Sequence, residues 1–322
     1  MRRKFLQAGL AMAVQLALGA GMAQAQDKPI EWVVGFVAGG GSDAVARTVA
    51  EAMGKTLNRS VIVNNKPGAG TNIAADYVAH TRDVNNVMFT ADFATLAANP
   101  WLFSKLNYNA ERDFVPVGLL ARFPLFLVVN NNVPVNNFRE FLAWAKAQGG
   151  PINYATPGLG TPHHLATELL AQRVGLKVTH VPYKGGAAAI VDVIGGQVPF
   201  MLVDSGSVVQ HIAAGKVRVI AVANRERLKG YPQVPTLVEQ GVAGYEAYAW
   251  QGLVAPKGTS ADVVQQWAQA LQAALKSPAV LSRFDALALE PLPGTPAQMQ
   301  EFWMSEREKW RQVIQNVGIK ID

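Results

Sequence analysis

The chain has 322 residues, with 29 Lys and Arg against 23 Asp and Glu for a formal net charge of +6, and no cysteine. The missing cysteine excludes disulfides, thiolate metal sites and a cysteine nucleophile, and the scattered basic residues form no stripe or cluster of the kind nucleic acid requires. About 300 residues beyond a leader, half of them hydrophobic, suffice for two domains with separate cores.

Residues 1–25 open on Arg2, Arg3 and Lys4, continue in an apolar stretch from Phe5 to Met22 and end in Ala23-Gln24-Ala25. That pattern is a secretory signal peptide cleaved before Gln26. "RRKFLQ" fits a twin-arginine leader as well as an ordinary Sec leader; both place the mature protein in the periplasm. Cleavage removes three positive charges and lowers the formal +6 to about +3. No later stretch approaches the roughly 20 apolar residues of a membrane span.

From residue 30 the elements alternate. "IEWVVGF" predicts a strand, "VAGGGSD" a glycine loop and "AVARTVAEAMGK" a helix; "SVIVNNKPGAGT", "NIAADYVAHT" and "NVMFTAD" add strand and loop, helix, and strand. The second half repeats the order with "INYA", "TPGLGTP", "HHLATELLAQRVG", "KVTHVPYKGGA", "AAIVDVIGGQ" and "PFMLVDSG". Val61 and Val178 stand 117 residues apart, Lys66 and Lys184 118, Gly39 and Gly158 119. Two βαβαβ units follow, predicting an α/β protein of two doubly wound domains whose glycine loops and strand ends, "FTADF" and "LVDSG", share the carboxyl edges of parallel sheets, where ligands bind. The helices predicted over "ADVVQQWAQALQAALKS" and "EFWMSEREKWRQVIQNV" then return to the first domain, with Trp267, Trp303 and Trp310 as packing residues.

Glycines at helix starts let backbone amides approach an anion, and Ser42, Thr71, Thr156 and Thr161 add uncharged hydroxyls. A small carboxylate fits this inventory better than a nucleotide, because neither an ordered G-x-G-x-x-G nor a G-K-[ST] ending is present. Asp92 and Asp204 end equivalent strands and are candidates to accept from a ligand amine, hydroxyl or protonated acid, with turn capping as the alternative. Asp43 reads as a helix cap. His164 either touches ligand or packs. His163 and His164 are adjacent rather than i, i+4, so no zinc site is expected. There is no G-x-S-x-G elbow, and "DSGS" at 204–207 has no base identifiable from sequence.

"FVAGGGSDAVAR", "NKPGAGTNIAADYVA", "NYNAERDFVPVGLLA", "GLGTPHHLATELL", "VPYKGGAAAIVDVIGGQV", "MLVDSGSVVQHIAAGKVRVIAVANRERL" and "VAPKGTS" resemble, in order over the mature chain, the hallmark segments of the Bug family, the TctC-like periplasmic solute-binding proteins of tripartite tricarboxylate transporters. The resemblance implies a type II, Venus-flytrap periplasmic binding protein: domain 1 over 26–126 plus 251–322, domain 2 over 127–250, and hinges near 125–130 and 249–256. It implies a non-catalytic, monomeric receptor without cofactor or metal that captures a small organic acid and delivers it to the membrane permease subunits. By the same resemblance the ligand is gripped by the backbone from Phe36 through Gly39 and Gly40 to Ser42, by Gly70, Thr71 and Asn72, and across the cleft by Thr156, Gly158, Gly160, Thr161, His164 and Asp204. Two departures stand out: Gly35 replaces the family's proline, expected to loosen the approach to Phe36, and "DVNNVMF" replaces its usual D-G-Y-T-L turn. A periplasmic hydrolase or lyase in the same cleft, and a sensor that docks on a signalling kinase, are the competing readings.

Overall fold

The computed structural model describes residues 28–321, and the leader expected over 1–25 lies outside the described residues. The first half runs β1 (Ile30–Val34), α1 (Gly41–Leu57), β2 (Val61–Asn65), α2 (Asn72–Ala79) and β3 (Val87–Asp92). β1 pairs in parallel with both β2 and β3. Every residue of β3 is buried and β1 is nearly so, the near-continuous apolar run of strands covered on both faces. Val45, Ala46, Val49, Ala50 and Met53 form the buried stripe of α1, at the three-and-four spacing of one helical face.

Short helical turns over 94–102 and 110–113 lead into β4 (Phe114–Val129), a strand of 16 residues. The second half repeats the unit: α3 (Phe138–Ala147), β5 (Ile152–Thr156), α4 (Pro162–Val174), β6 (Val178–Pro182), α5 (Gly186–Ile194), β7 (Phe200–Asp204), α6 (Ser205–Ala213) and β8 (Arg218–Val222). The chain returns through β9 (Tyr248–Pro256), α7 (Ala261–Leu275), α8 (Pro278–Ala286), the two-residue β10 (Glu290–Pro291) and α9 (Pro296–Val317).

The strand order is β2-β1-β3-β9-β4-β7-β5-β6, with β8 and β10 also on β4. β4 pairs with β9 from Phe114 to Pro124 and with β7 from Leu125 to Val129, so one strand belongs to both halves. The sheet is mixed where the repeat alone suggested parallel sheets. β1–β3 and β5–β7 are parallel within their units, while β9 and β4 enter each half antiparallel to its third strand. A strand arriving from the other half runs against the strands it joins, which is why the βαβ pattern did not foretell it.

Trp267, Trp303 and Trp310 are fully buried packing residues, as expected. α7 and α8 pack with α1 around one apolar cluster of the first half, whereas α9 joins a cluster that continues through Leu125, Leu127 and Tyr154 into the second. The indoles of Trp250 and Trp310 both donate to Glu306 Oε2 at 3.0 Å, fastening α9 to β9. Among the described residues no helix is long and apolar enough to cross a membrane.

Candidate functional site

Nine helices of eight residues or more are present among the described residues. Six carry a side-chain N-cap, supplied by Asn137, Thr161, Asp204, Ser260, Ser277 and Thr295. The other three, α1, α2 and α5, begin after Gly40, Thr71 and Gly185 with no capping side chain. All three follow the carboxyl ends of sheet strands, β1, β2 and β6. An uncapped first turn presents unpaired N–H groups and the positive end of the helix dipole, an arrangement suited to an anion.

The first loop is braced from below. Asp43 Oδ2 accepts from Gly39 N and Arg47 Nε, each at 2.9 Å, and its Oδ1 accepts from Asn65 Nδ2 at 2.9 Å. Asp43 therefore ties the loop to β2, and the Gly39 amide is already occupied. Burial works to raise the Asp43 pKa, but the hydrogen bonds from Arg47, Gly39 and Asn65 prevail and hold it low. Phe36 is half-buried, with its carbonyl accepting from Asn65 at 3.0 Å. Gly40 is extended, and Ser42 Oγ accepts from Gln251 Nε2 on β9. Gly35 does not loosen this approach: a Cβ there would lie 2.9 Å from Thr71 Cβ and Cγ2, so glycine lets the first two loops pack together.

The second loop is strained. Ala69, Gly70 and Thr71 have φ of 47°, 58° and 74°, and a non-glycine residue there costs about 1 kcal/mol or more. A buried polar network holds it. Thr71 Oγ1 lies 2.7 Å from Thr95 Oγ1 and 3.2 Å from Asp92 Oδ1, which also accepts from Thr95 N at 3.0 Å. Asn99 Nδ2 donates to Gly70 O and Asn72 Oδ1, both at 2.7 Å. Thr71, Asn72 and Asp92 thus sit together, with their side chains committed to one another and to Thr95 and Asn99. Desolvation raises the Asp92 pKa against the opposing bonds from Thr95.

In the second half Thr156 is buried, donates to Gly158 O at 3.1 Å and meets His180 Nε2. Thr161 Oγ1 donates to the same carbonyl at 2.8 Å while capping α4. Gly160 N donates to His164 Nδ1 at 3.0 Å. His164 packs face to face on His180, with ring centroids 3.9 Å apart, and burial, followed by the neighbouring His180, pushes its pKa down to about 3. Of the two roles considered for His164, the geometry supports packing.

His163 takes a different course. Its Nε2 lies 3.1 Å from Asp204 Oδ2. Asp204 Oδ1 caps α6 by accepting from Ser207 N at 2.9 Å, and Oδ2 accepts from Ser207 Oγ at 2.9 Å. Burial opposes ionisation of Asp204, but His163 and then Ser207 outweigh it and lower the pKa.

The two rims face one another. A Cβ on Gly206 would stand 4.0 Å from Gly41 Cα across the cleft, and one on Gly160 would meet Leu102 Cδ1 at 2.6 Å and Ile321 Cδ1 at 2.8 Å. His163 Nδ1, Ser205 Oγ and Gln251 Oε1 are buried polar atoms without a protein partner. From the sequence, His163 figures only as a metal-ligand candidate and Ser205 only within "DSGS", while Gln251 has no assigned role. Gln251 was the most legible, the only polar side chain of "AWQGLVAP". Nothing distinguished His163 from His164, although adjacent helical residues face different ways.

Two α/β halves that share a crossing strand and face each other across uncapped helix starts define a two-lobed solute-binding protein. The chain belongs to the family described as the tripartite tricarboxylate transporter family receptor, whose profile matches residues 45–319. It is similar to an R. palustris protein solved with adipate, at 29% identity over 91% of this chain and 99% of that one, with TM-score 0.85. It is also similar to the periplasmic binding protein BugD, at 32% identity over 91% and 99%, TM-score 0.81. MatC from Rhodopseudomonas palustris, solved with bound malate, matches at 30% identity over 89% and 98%, TM-score 0.79.

Proposed function

We propose that this chain is a periplasmic receptor that captures a small organic carboxylate between its lobes and delivers it to the membrane subunits of a tripartite tricarboxylate-type transporter. The observation that carries this reading is the placement of the uncapped helices: long helices elsewhere supply their own capping oxygen, and the three that do not open on the loop rims. A carboxylate brings the missing acceptor and the complementary charge. Backbone amides of residues 40–43 and 70–73 would hold it on the first lobe, with Gly185 and Gly186 opposite. The lobes divide near residues 126 and 250, where β4 exchanges β9 for β7 and β9 begins. Closure is favoured by whatever contacts the guest makes only in the closed form, and excluding water strengthens them.

The reading is non-catalytic. Ser207 Oγ and His163 Nε2 both bond to Asp204 rather than to each other, so the hydroxyl lacks the imidazole contact that activates a serine nucleophile. The test is a panel of mono-, di- and tricarboxylates scored for melting temperature and for chemical integrity of the ligand. A receptor melts higher with an unaltered ligand; no stabilisation by any acid, or conversion of one, overturns the reading.

A further inference from the structure

Residues 318–321, beyond the last helix, reach the cleft. Gly318 ends α9 in the left-handed conformation at φ 72°, a turn that glycine makes at no steric cost. The tail then crosses to the short helical turn at 99–102, where Ile321 N donates to Leu102 O at 3.0 Å. Ile319 and Ile321 pack on the apolar cluster in which Leu102 is fully buried. That turn serves the first rim from its other end: Asn99 Nδ2 donates to Gly70 O and to Asn72 Oδ1, each at 2.7 Å. It also meets the second rim. The position a Cβ would take on Gly160 lies 2.6 Å from Leu102 Cδ1 and 2.8 Å from Ile321 Cδ1. Three segments far apart in sequence thus converge: the third glycine loop of the second lobe, the first-lobe turn and the tail. Trp101 of the same turn lies beneath Arg307 of α9, with the guanidinium 4.8 Å from the ring centre. The helix that carries the tail therefore also holds the turn that receives it.

We infer that Ile321 and Leu102 are positioning residues for ligand capture: they form an apolar strap on the first lobe, onto which the second lobe closes at Gly160. This rests on the carboxylate-receptor reading and adds to it a contact that biases closure. Gly160 belongs to one lobe and both methyl-bearing partners to the other, so the contact is made only with the lobes together, and opening returns apolar surface to water. A contact present in one of two states shifts the equilibrium between them by its own free energy. Neither side chain has a polar atom to offer a carboxylate. The strap acts on lobe geometry, and through Asn99 on the placement of Gly70, so it weighs equally on every guest.

The test stops the mature chain after Lys320 and compares it with the wild type by calorimetric titration and stopped-flow release, using succinate, malate, adipate and citrate. Every acid that binds is expected to bind about tenfold more weakly to the shortened chain, by a common factor, with the loss in the release rate and association held within about threefold. Ile321→Ala keeps the amide bond to Leu102 O and should cost about threefold; it carries the test if the shortened chain folds poorly. Because the chain has no cysteine, Lys55→Cys and Lys177→Cys, both at exposed positions, place one spin label on each lobe. The ligand-free wild type should populate a short label separation that the shortened chain loses. An effect confined to one acid, or affinities within twofold of wild type for all that bind, overturns this proposal alone. Failure of all four acids to bind the wild type overturns the receptor reading, and the label separations then decide the strap by themselves: equal distributions in the two chains overturn it as well.

Discussion

The two rims are built from the same repeated unit and differ in how they meet charge. The first lobe starts α1 and α2 with no capping side chain and buries its strand-end carboxylate, Asp92, among hydroxyls. The second caps α4 and α6 with Thr161 and Asp204, leaves α5 uncapped, and keeps Asp204 partly exposed beside His163. In the receptor reading, the duplicated topology puts the ligand between the rims and capping grades them: both lobes offer free amides to an anion, the first from two helix starts and the second from one.

Acid should separate the lobes most. His164 and His180 have pKa values lowered to about 3 and about 4 by burial, whereas unfolded histidine titrates near 6.5. The unfolded chain then binds more protons between those values, so their stabilising contribution is complete above pH 6.5 and is lost as pH falls below it. His164 alone contributes a slope on the order of 1 kcal/mol per pH unit, and His180 adds to it. Asp92 acts oppositely: its raised pKa makes the folded state retain a proton that the unfolded state gives up, so acid favours the first lobe there. Hydrogen exchange at pH 7 and pH 5 should show β5–β7 losing protection relative to β1–β3; equal loss in both lobes contradicts the comparison.

Gly40→Asp should erase the difference between the rims. Gly40 is extended at φ −81°, and its Cβ would meet nothing closer than Val37 O at 3.6 Å. The new carboxylate would cap α1, raising stability by a few tenths of a kcal/mol, while competing with the ligand for the same amides. A loss of about a hundredfold in affinity is expected by titration, alongside an unchanged or higher melting temperature. The smallest effect belongs to Thr161→Ala. Its hydroxyl serves Gly158 and the α4 terminus, so the cost is about 1 kcal/mol of stability by chemical denaturation, with affinity held within about threefold.

Much of this was legible in the chain. The offset between halves located β2 and β6, Asp92 and Asp204 fell at the ends of β3 and β7 as expected, and the glycine loops announced both rims. What the repeat could not convey was commitment. Thr71, Thr156, Thr161 and Asn72 are the residue types that bind ligands, and here each has a hydrogen-bonded protein partner. Partnering is a property of packing between segments far apart in sequence, as when Asn99 reaches Gly70 or Gln251 reaches Ser42. The pairing of His163 was hidden for the same reason: its partner, Asp204, stands 41 residues on.

β4 carries a mechanical consequence. Its first eleven residues, Phe114–Pro124, are laced to β9 and its last five, Leu125–Val129, to β7, with register irregularities near Gly118 and Ala121, where a bulge sharpens local coiling. Swinging one half on the other then winds or unwinds a single shared ribbon. In the receptor reading this ribbon is the torsion spring of the molecule, and the guest is the catch that holds it wound.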